Sequence, residues 1–117
     1  MPSGFCYIMT NRPRGVLYVG VTQNLPRRIH EHRMGLTGGF TSQYGLTQLV
    51  FYEEYPLVMD AVRREKALKH WSRAWKIELI EKTNPAWRDL HEELRLGELN
   101  DAKDWSPPPG PDGQDND

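Results

Sequence analysis

The fold turns on residues 5–21, FCYIMTNRPRGVLYVGV. Two runs rich in β-branched and aromatic residues, 5–10 and 16–21, flank Asn, Pro, Arg and Gly, the chemistry of a turn, so they read as a β-hairpin. A loop of four residues, 11–14, sets Tyr7 opposite Tyr18, Ile8 opposite Leu17 and Cys6 opposite Val19. Side chains alternate along a strand, so Cys6, Ile8, Leu17, Val19 and Val21 then share one face and both tyrosines share the other. Two phenols side by side serve equally as a cross-strand aromatic pair or as a pair of proton-handling groups.

Outward from the hairpin, residues 25–34 read as a helix, with Asn24 as N-cap, Pro26 in the first turn and Gly35 as the stop. Leu25, Ile29 and Leu36 form its apolar stripe, His32 falls within it, and Arg28 lies along its edge, one turn from His32. Residues 35–48 are a Gly- and Thr-rich connection long enough to be functional. Its Thr37, Thr41, Ser42 and Tyr44 suit contact with a phosphate backbone or ordinary loop polarity. Residues 49–55 read as a strand covered on both faces. Helices follow over 57–70 and 72–81, and a last one over 84–94 with Asn84 as N-cap and Pro85 in its first turn. Two strands, a helix, a strand and further helices give an α+β architecture: a small antiparallel sheet flanked by helices.

Glu65 is the most informative single residue. Helix 57–70 carries the apolar stripe Val58, Ala61, Val62, Leu68, and Glu65 projects between Ala61 and Val62. A carboxylate there is costly to bury without compensation. Either Arg64 or another base pairs with it, or it lines a cleft and holds a hard divalent cation such as Mg²⁺, which is content with one carboxylate and several waters.

Composition sets the bounds. The chain has 117 residues, 38% hydrophobic and 26% charged, the makeup of one globular domain. No apolar run approaches the roughly 20 residues of a membrane span. Residues 1–6 lack a basic segment followed by an apolar run, so no secretory signal is expected and a cytoplasmic location is. Cys6 is the single cysteine, which excludes an internal disulfide or a cysteine-based zinc site; it reads as a small buried hydrophobe. The net charge of −1 hides an asymmetry. Residues 101–117 hold five acids and one base, leaving 14 bases and 11 acids, a net of +3, over residues 1–100. A mildly basic body suits a phosphate-rich partner. The Pro-, Gly- and Asp-rich tail, 101–117, reads as disordered, with Trp105 its one apolar side chain. Residues 1–100 are then the domain. Trp71 and Trp75 read as core packing rather than base-stacking platforms, Trp87 as either, and His30 as solvent-facing.

The same residues resemble a known family. Phe5-Cys6-Tyr7, ten residues, then Tyr18-Val19-Gly20 is similar to the two signature tripeptides of the GIY-YIG nuclease superfamily. The likeness continues through Thr22, Asn24-Leu25, Arg28, His32 and Gly35, then Ala61, Arg64-Glu65 and Leu68-Lys69, then Asn84-Pro85, Trp87 and Asp89-Leu90. It spans residues 4–92 and looks like the small stand-alone bacterial predicted endonucleases, which are similar to the N-terminal domain of one of the excinuclease proteins. Phe5 and Cys6 depart from the first tripeptide; Tyr7, the position with chemistry, is kept.

The resemblance implies the GIY-YIG endonuclease fold and a metal-dependent endonuclease that hydrolyses a DNA phosphodiester, with a role in DNA repair or recombination. It implies Glu65 as the ligand of one Mg²⁺ or Mn²⁺, Arg28 as stabiliser of phosphate charge, Tyr7 and Tyr18 as the groups that position or deprotonate water, and His32 as an aid to proton transfer. It also matches Asn84 to an asparagine near the site, which its N-cap role explains equally well, while Gly20 lets the backbone approach substrate or an adjacent helix closely and Thr41 of the loop is a further substrate-side candidate. The alternative is a non-catalytic nucleic-acid-binding module of the same fold. The sequence does not separate DNA from RNA, and it leaves the oligomeric state open.

Overall fold

A computed structural model describes residues 2–37, 39 and 43–94. Thr41 and the acidic tail lie outside the described residues. Three strands form one antiparallel sheet: β1 (Gly4–Thr10), β2 (Leu17–Thr22) and β3 (Gln48–Tyr55), in the order β2-β1-β3. Among the described residues three helices of two turns or more join it: α1 (Leu25–Arg33), α2 (Val58–His70) and α3 (Arg73–Thr83). The α+β architecture is therefore as expected.

The hairpin register differs from the expected one by two residues. Tyr7 stands opposite Gly20, Ile8 opposite Val19 and Met9 opposite Tyr18. The loop takes six residues rather than four because Asn11 intervenes. Its Oδ1 accepts from the Val16 N–H at 3.0 Å, which holds Val16 out of the ladder. Arg14 turns the chain with a φ of 57°. A shift of two preserves the alternation, so the expected division of faces holds. Phe5, Tyr7 and Met9 pack with Leu25, Ile29, Leu49 and Tyr52 on one face. Cys6, Ile8, Val19, Phe51, Leu68, Leu79 and Ile80 pack on the other, under α2 and α3.

Local signals explain α1. Asn24 Oδ1 accepts from the Arg27 N–H at 3.1 Å, and Gly35, at a φ of 73°, ends the helix in the left-handed region that glycine adopts freely. Leu25, Ile29 and His32 are buried on the core side, but Leu36 is 70% exposed: it lies past the stop, where the helical stripe no longer applies.

The last expected helix is replaced by an irregular strap. Asn84 is the C-cap of α3 rather than an N-cap, its N–H bonded to Ile80 O at 2.8 Å. Its side-chain amide donates to Val50 O and Arg88 O, at 3.1 and 2.9 Å, and its Oδ1 accepts from the Arg88 N–H. Trp87 then takes a φ of 57°, which no helix continues through. Leu90 N–H donates to Leu49 O and Asp89 Oδ1 accepts from Leu49 N–H, so the strap covers the outer edge of β3. Only residues 91–94 make a helical turn. An edge strand with open backbone groups outcompeted the local helical signal.

Candidate active site

The sheet face under α1 gathers three rings. The Tyr7 hydroxyl lies 3.0 Å from His32 Nε2, and both side chains are buried. Tyr18 completes a triangle: ring centroids are 6.4 Å apart for the tyrosines and 5.7 Å from His32 to each of them. The two tyrosines meet diagonally across the hairpin, which the two-residue shift allows because it keeps them on one face. Gly20 makes room for the triangle. A Cβ at that position would stand 2.5 Å from the Tyr7 hydroxyl, so the close approach that requires glycine is to the Tyr7 ring rather than to a substrate or helix.

Electrostatics assign the protons. Burial pushes the Tyr7 phenol well above its ordinary range, Tyr18 adds to this, and the neighbouring Arg28 guanidinium opposes it. Burial lowers the His32 imidazole below its ordinary 6.5, and the Arg28 charge lowers it further. His32 is thus neutral at pH 7. With a neutral ring, the assignment that satisfies both nitrogens has Tyr7 donating to Nε2 and Nδ1–H donating to Thr37 Oγ1, 3.3 Å away. Arg28 stays charged: burial works against it, but Tyr7 and Glu31 hold it more basic than usual.

Arg28 also opens the site to solvent. Its side chain is 38% exposed and ion-paired to Glu31 at 3.1 Å. It walls a cleft of about 500 Å³ together with Val21, Thr22, Arg27 and, from α2, Val58 and Val62. Val58, Val62, Glu65 and Lys69 follow at steps of four and three residues, so they form one stripe of α2 that continues this wall.

Glu65 comes from α2. Its carboxylate is 12% exposed and holds Lys69 at 2.5 Å. Arg64 is not its partner: Arg64 forks onto Glu53 of β3 at 3.0 and 3.2 Å, buried on the opposite sheet face. Lys69 is the link between Glu65 and the rings. Glu65 holds its ammonium more basic than usual despite partial burial, and the Tyr18 phenol adds to the effect. The structure therefore brings together Tyr7, Tyr18, Arg28 and His32, and pairs Glu65 with Lys69, whose ammonium feels the Tyr18 phenol. Asn84 is spent on backbone groups beside β3. Glu31, Thr37 and Lys69 join the site. The i+3 spacing from Arg28 and the i+4 spacing from Glu65 were the sequence signals for the first and last.

Among the described residues no group of three or more His, Cys, Asp or Glu side chains gathers to hold a metal. Glu65 is a donor suited to Mg²⁺ or Mn²⁺, hard ions that can bind through one carboxylate and keep their waters, so this residue fits such an ion. Also among the described residues, no helix is long and apolar enough to cross a membrane.

The GIY-YIG catalytic domain matches residues 3–78. The UPF0213 protein of Syntrophus aciditrophicus is 34% identical over 86 residues, covering 73% of this chain and 97% of the relative. A UPF0213 protein of Clostridium perfringens is 31% identical over 80 residues, covering 68% and 86%. Among solved structures, the solution structure of UPF0213 protein BH0048 from Bacillus halodurans is similar at 29% identity and a TM-score of 0.48, covering 74% of this chain and 92% of that one.

Proposed function

Since the chain belongs to the GIY-YIG catalytic-domain family, a nuclease family whose members generally use divalent metals, we propose that it is a metal-dependent endonuclease hydrolysing a DNA phosphodiester, with DNA repair or recombination as its setting. The observation that carries this reading is the Tyr7–His32 hydrogen bond with Arg28 beside it at the mouth of a cleft.

A buried tyrosine alone is a poor base at neutral pH. The pair is a better one. Neutral His32 accepts the Tyr7 proton as Tyr7 Oη takes a proton from the attacking water, and Arg28 offsets the charge that passes through the phenolate. Tyr18, at the edge strand, orients the water. Arg28, reaching the cleft, also faces the oxygens on which negative charge builds, a contact that strengthens as bound substrate excludes water from the cleft. Glu65 would hold Mg²⁺ or Mn²⁺, with Lys69 released to the phosphate backbone. When bound, the ion supplies Lewis-acid stabilisation of the phosphate charge.

The test is cleavage of plasmid and branched DNA by the full chain in Mg²⁺ or Mn²⁺. Arg28→Ala and Glu65→Gln are each expected to slow cutting by roughly 10²–10³-fold. Cutting at the native rate by Glu65→Gln overturns the mechanism. A second reading, a non-catalytic nucleic-acid-binding module, rests on one observation: the Lys69 ammonium already sits on the carboxylate that a metal requires. Salt-sensitive DNA binding with no cutting in any divalent metal would establish it.

A further inference from the structure

The sequence reading puts Trp75 in the core, yet it is 59% exposed, the most exposed large aromatic side chain among the described residues. It is not adrift. Its ring meets Trp71 edge-on with centroids 5.7 Å apart. Trp71 is half-buried, packs on the core, and carries the Arg64 guanidinium 5.2 Å from its ring centroid. Arg64 is in turn fixed by its buried pair with Glu53. The exposed indole thus rests on an anchored one, so little rotamer freedom remains to be lost on binding.

The surroundings are cationic. Residues 66–76 contain Lys66, Lys69, Arg73 and Lys76 and no acid. Arg73 is pinned by donating to Arg14 O. Burial and the Arg73 charge together lower the Lys76 proton affinity, which places these two positive groups close enough to repel. A polyanion relieves that crowding. Lys69 joins this patch to Glu65 and Tyr18. Trp71 lies six residues beyond Glu65, about 9 Å along the chain at helical rise.

A flat aromatic face amid cations selects unpaired bases, because a base within a duplex already has both faces stacked. We propose that Trp71 and Trp75 form a stacking platform for an unpaired base, with Arg73 and Lys76 on its phosphates, so that the preferred substrate is DNA with a single-stranded arm beside the cut. This rests on the nucleic-acid reading of the cleft at Arg28 and names its substrate class.

The test measures binding of oligothymidine and of a blunt duplex to the full chain in EDTA, by anisotropy and by quenching of tryptophan fluorescence. Trp75→Ala is expected to weaken single-strand binding roughly five- to hundred-fold, the effect of one lost base–aromatic stack, while duplex binding changes little. Trp75→Phe should retain most of the affinity. Lys76→Gln should lower the salt dependence by about one phosphate contact. The proposal is overturned if Trp75→Ala binds single strands as the native chain does, or loses both DNA forms equally. It is also overturned if Trp75→Ala breaks up a dimer in sedimentation, which would make the patch a self-association surface. Binding that depends on Trp75 without cutting in Mg²⁺ or Mn²⁺ sustains the platform and removes the nuclease reading. Cutting with unchanged Trp75→Ala binding removes the platform alone.

Discussion

The two faces of the sheet both bury polar groups, and they do so to different ends. Under α2, Glu53 and Arg64 form a two-point ion pair at 5% and 6% exposure, and the Tyr55 hydroxyl donates to Glu53 at 2.8 Å. Charge meets charge, and Oε1 of Glu53 takes a donor from Tyr55 as well as from Arg64. Under α1, Tyr7 and His32 are just as buried, but the charge that governs them, Arg28, stands at the rim and reaches into a cleft. A buried network closed on itself holds a fold together. One whose controlling charge touches solvent can pass protons and meet a phosphate.

The largest expected effect breaks the closed side. Arg64→Met leaves Glu53 buried without a cation, at a cost of about 3–5 kcal/mol in denaturant unfolding. Adding Glu53→Leu should recover most of it, because the desolvation penalty of the pair disappears with the pair. A single variant of unchanged stability would show that the pair is idle.

Next, Gly20→Ala strikes the open side. The added methyl meets the Tyr7 ring, which is fully buried and has nowhere to retreat. Overpacking of this kind costs about 1–3 kcal/mol. It should also move the Tyr7 hydroxyl off His32 and depress cleavage beyond any effect on folding. Wild-type stability and rate in this variant would refute the packing account.

The smallest effect is a slope with pH. His32 is held below its ordinary 6.5 by burial and by Arg28, so the unfolded chain binds this proton more readily than the folded one. Its contribution to stability is therefore complete above about pH 6.5 and declines as pH falls from there toward the folded value. Unfolding midpoints measured from about pH 7.5 down to about pH 5.5 should drop, and His32→Gln should flatten the slope. Cleavage should fall at the acid end of this range, as pH passes through the lowered folded value and the imidazole loses its role as acceptor. A midpoint rising on acidification would contradict the buried neutral imidazole.

Much of this was legible in the chain. Alternation placed both tyrosines on one face, and an error of two residues in the hairpin left that intact because strand periodicity is two. Asn24, Pro26 and Gly35 marked α1, and its spacing put Arg28 beside His32. Local signals failed where a distant group competed for the same atoms. Asn84-Pro85 has the chemistry of a helix start, yet the open edge of β3 claimed the Asn84 amide and the Leu90 N–H. Trp75 has the composition of core and lies outside it, since Leu79 and Ile80 filled the face of α3 that packs on the sheet.

The sequence by itself determined what depends on neighbours in the chain: strand alternation, helix caps, the one-turn spacings of Arg28 to His32 and Glu65 to Lys69, and the family likeness they add up to. Only the tertiary structure decided which groups meet across elements. It gave Arg64 to Glu53, left Glu65 to Lys69, and put Tyr7 against His32. The reason is physical: a charge or a ring is assigned by which partner desolvates it least expensively, and that partner is a matter of packing rather than of order along the chain.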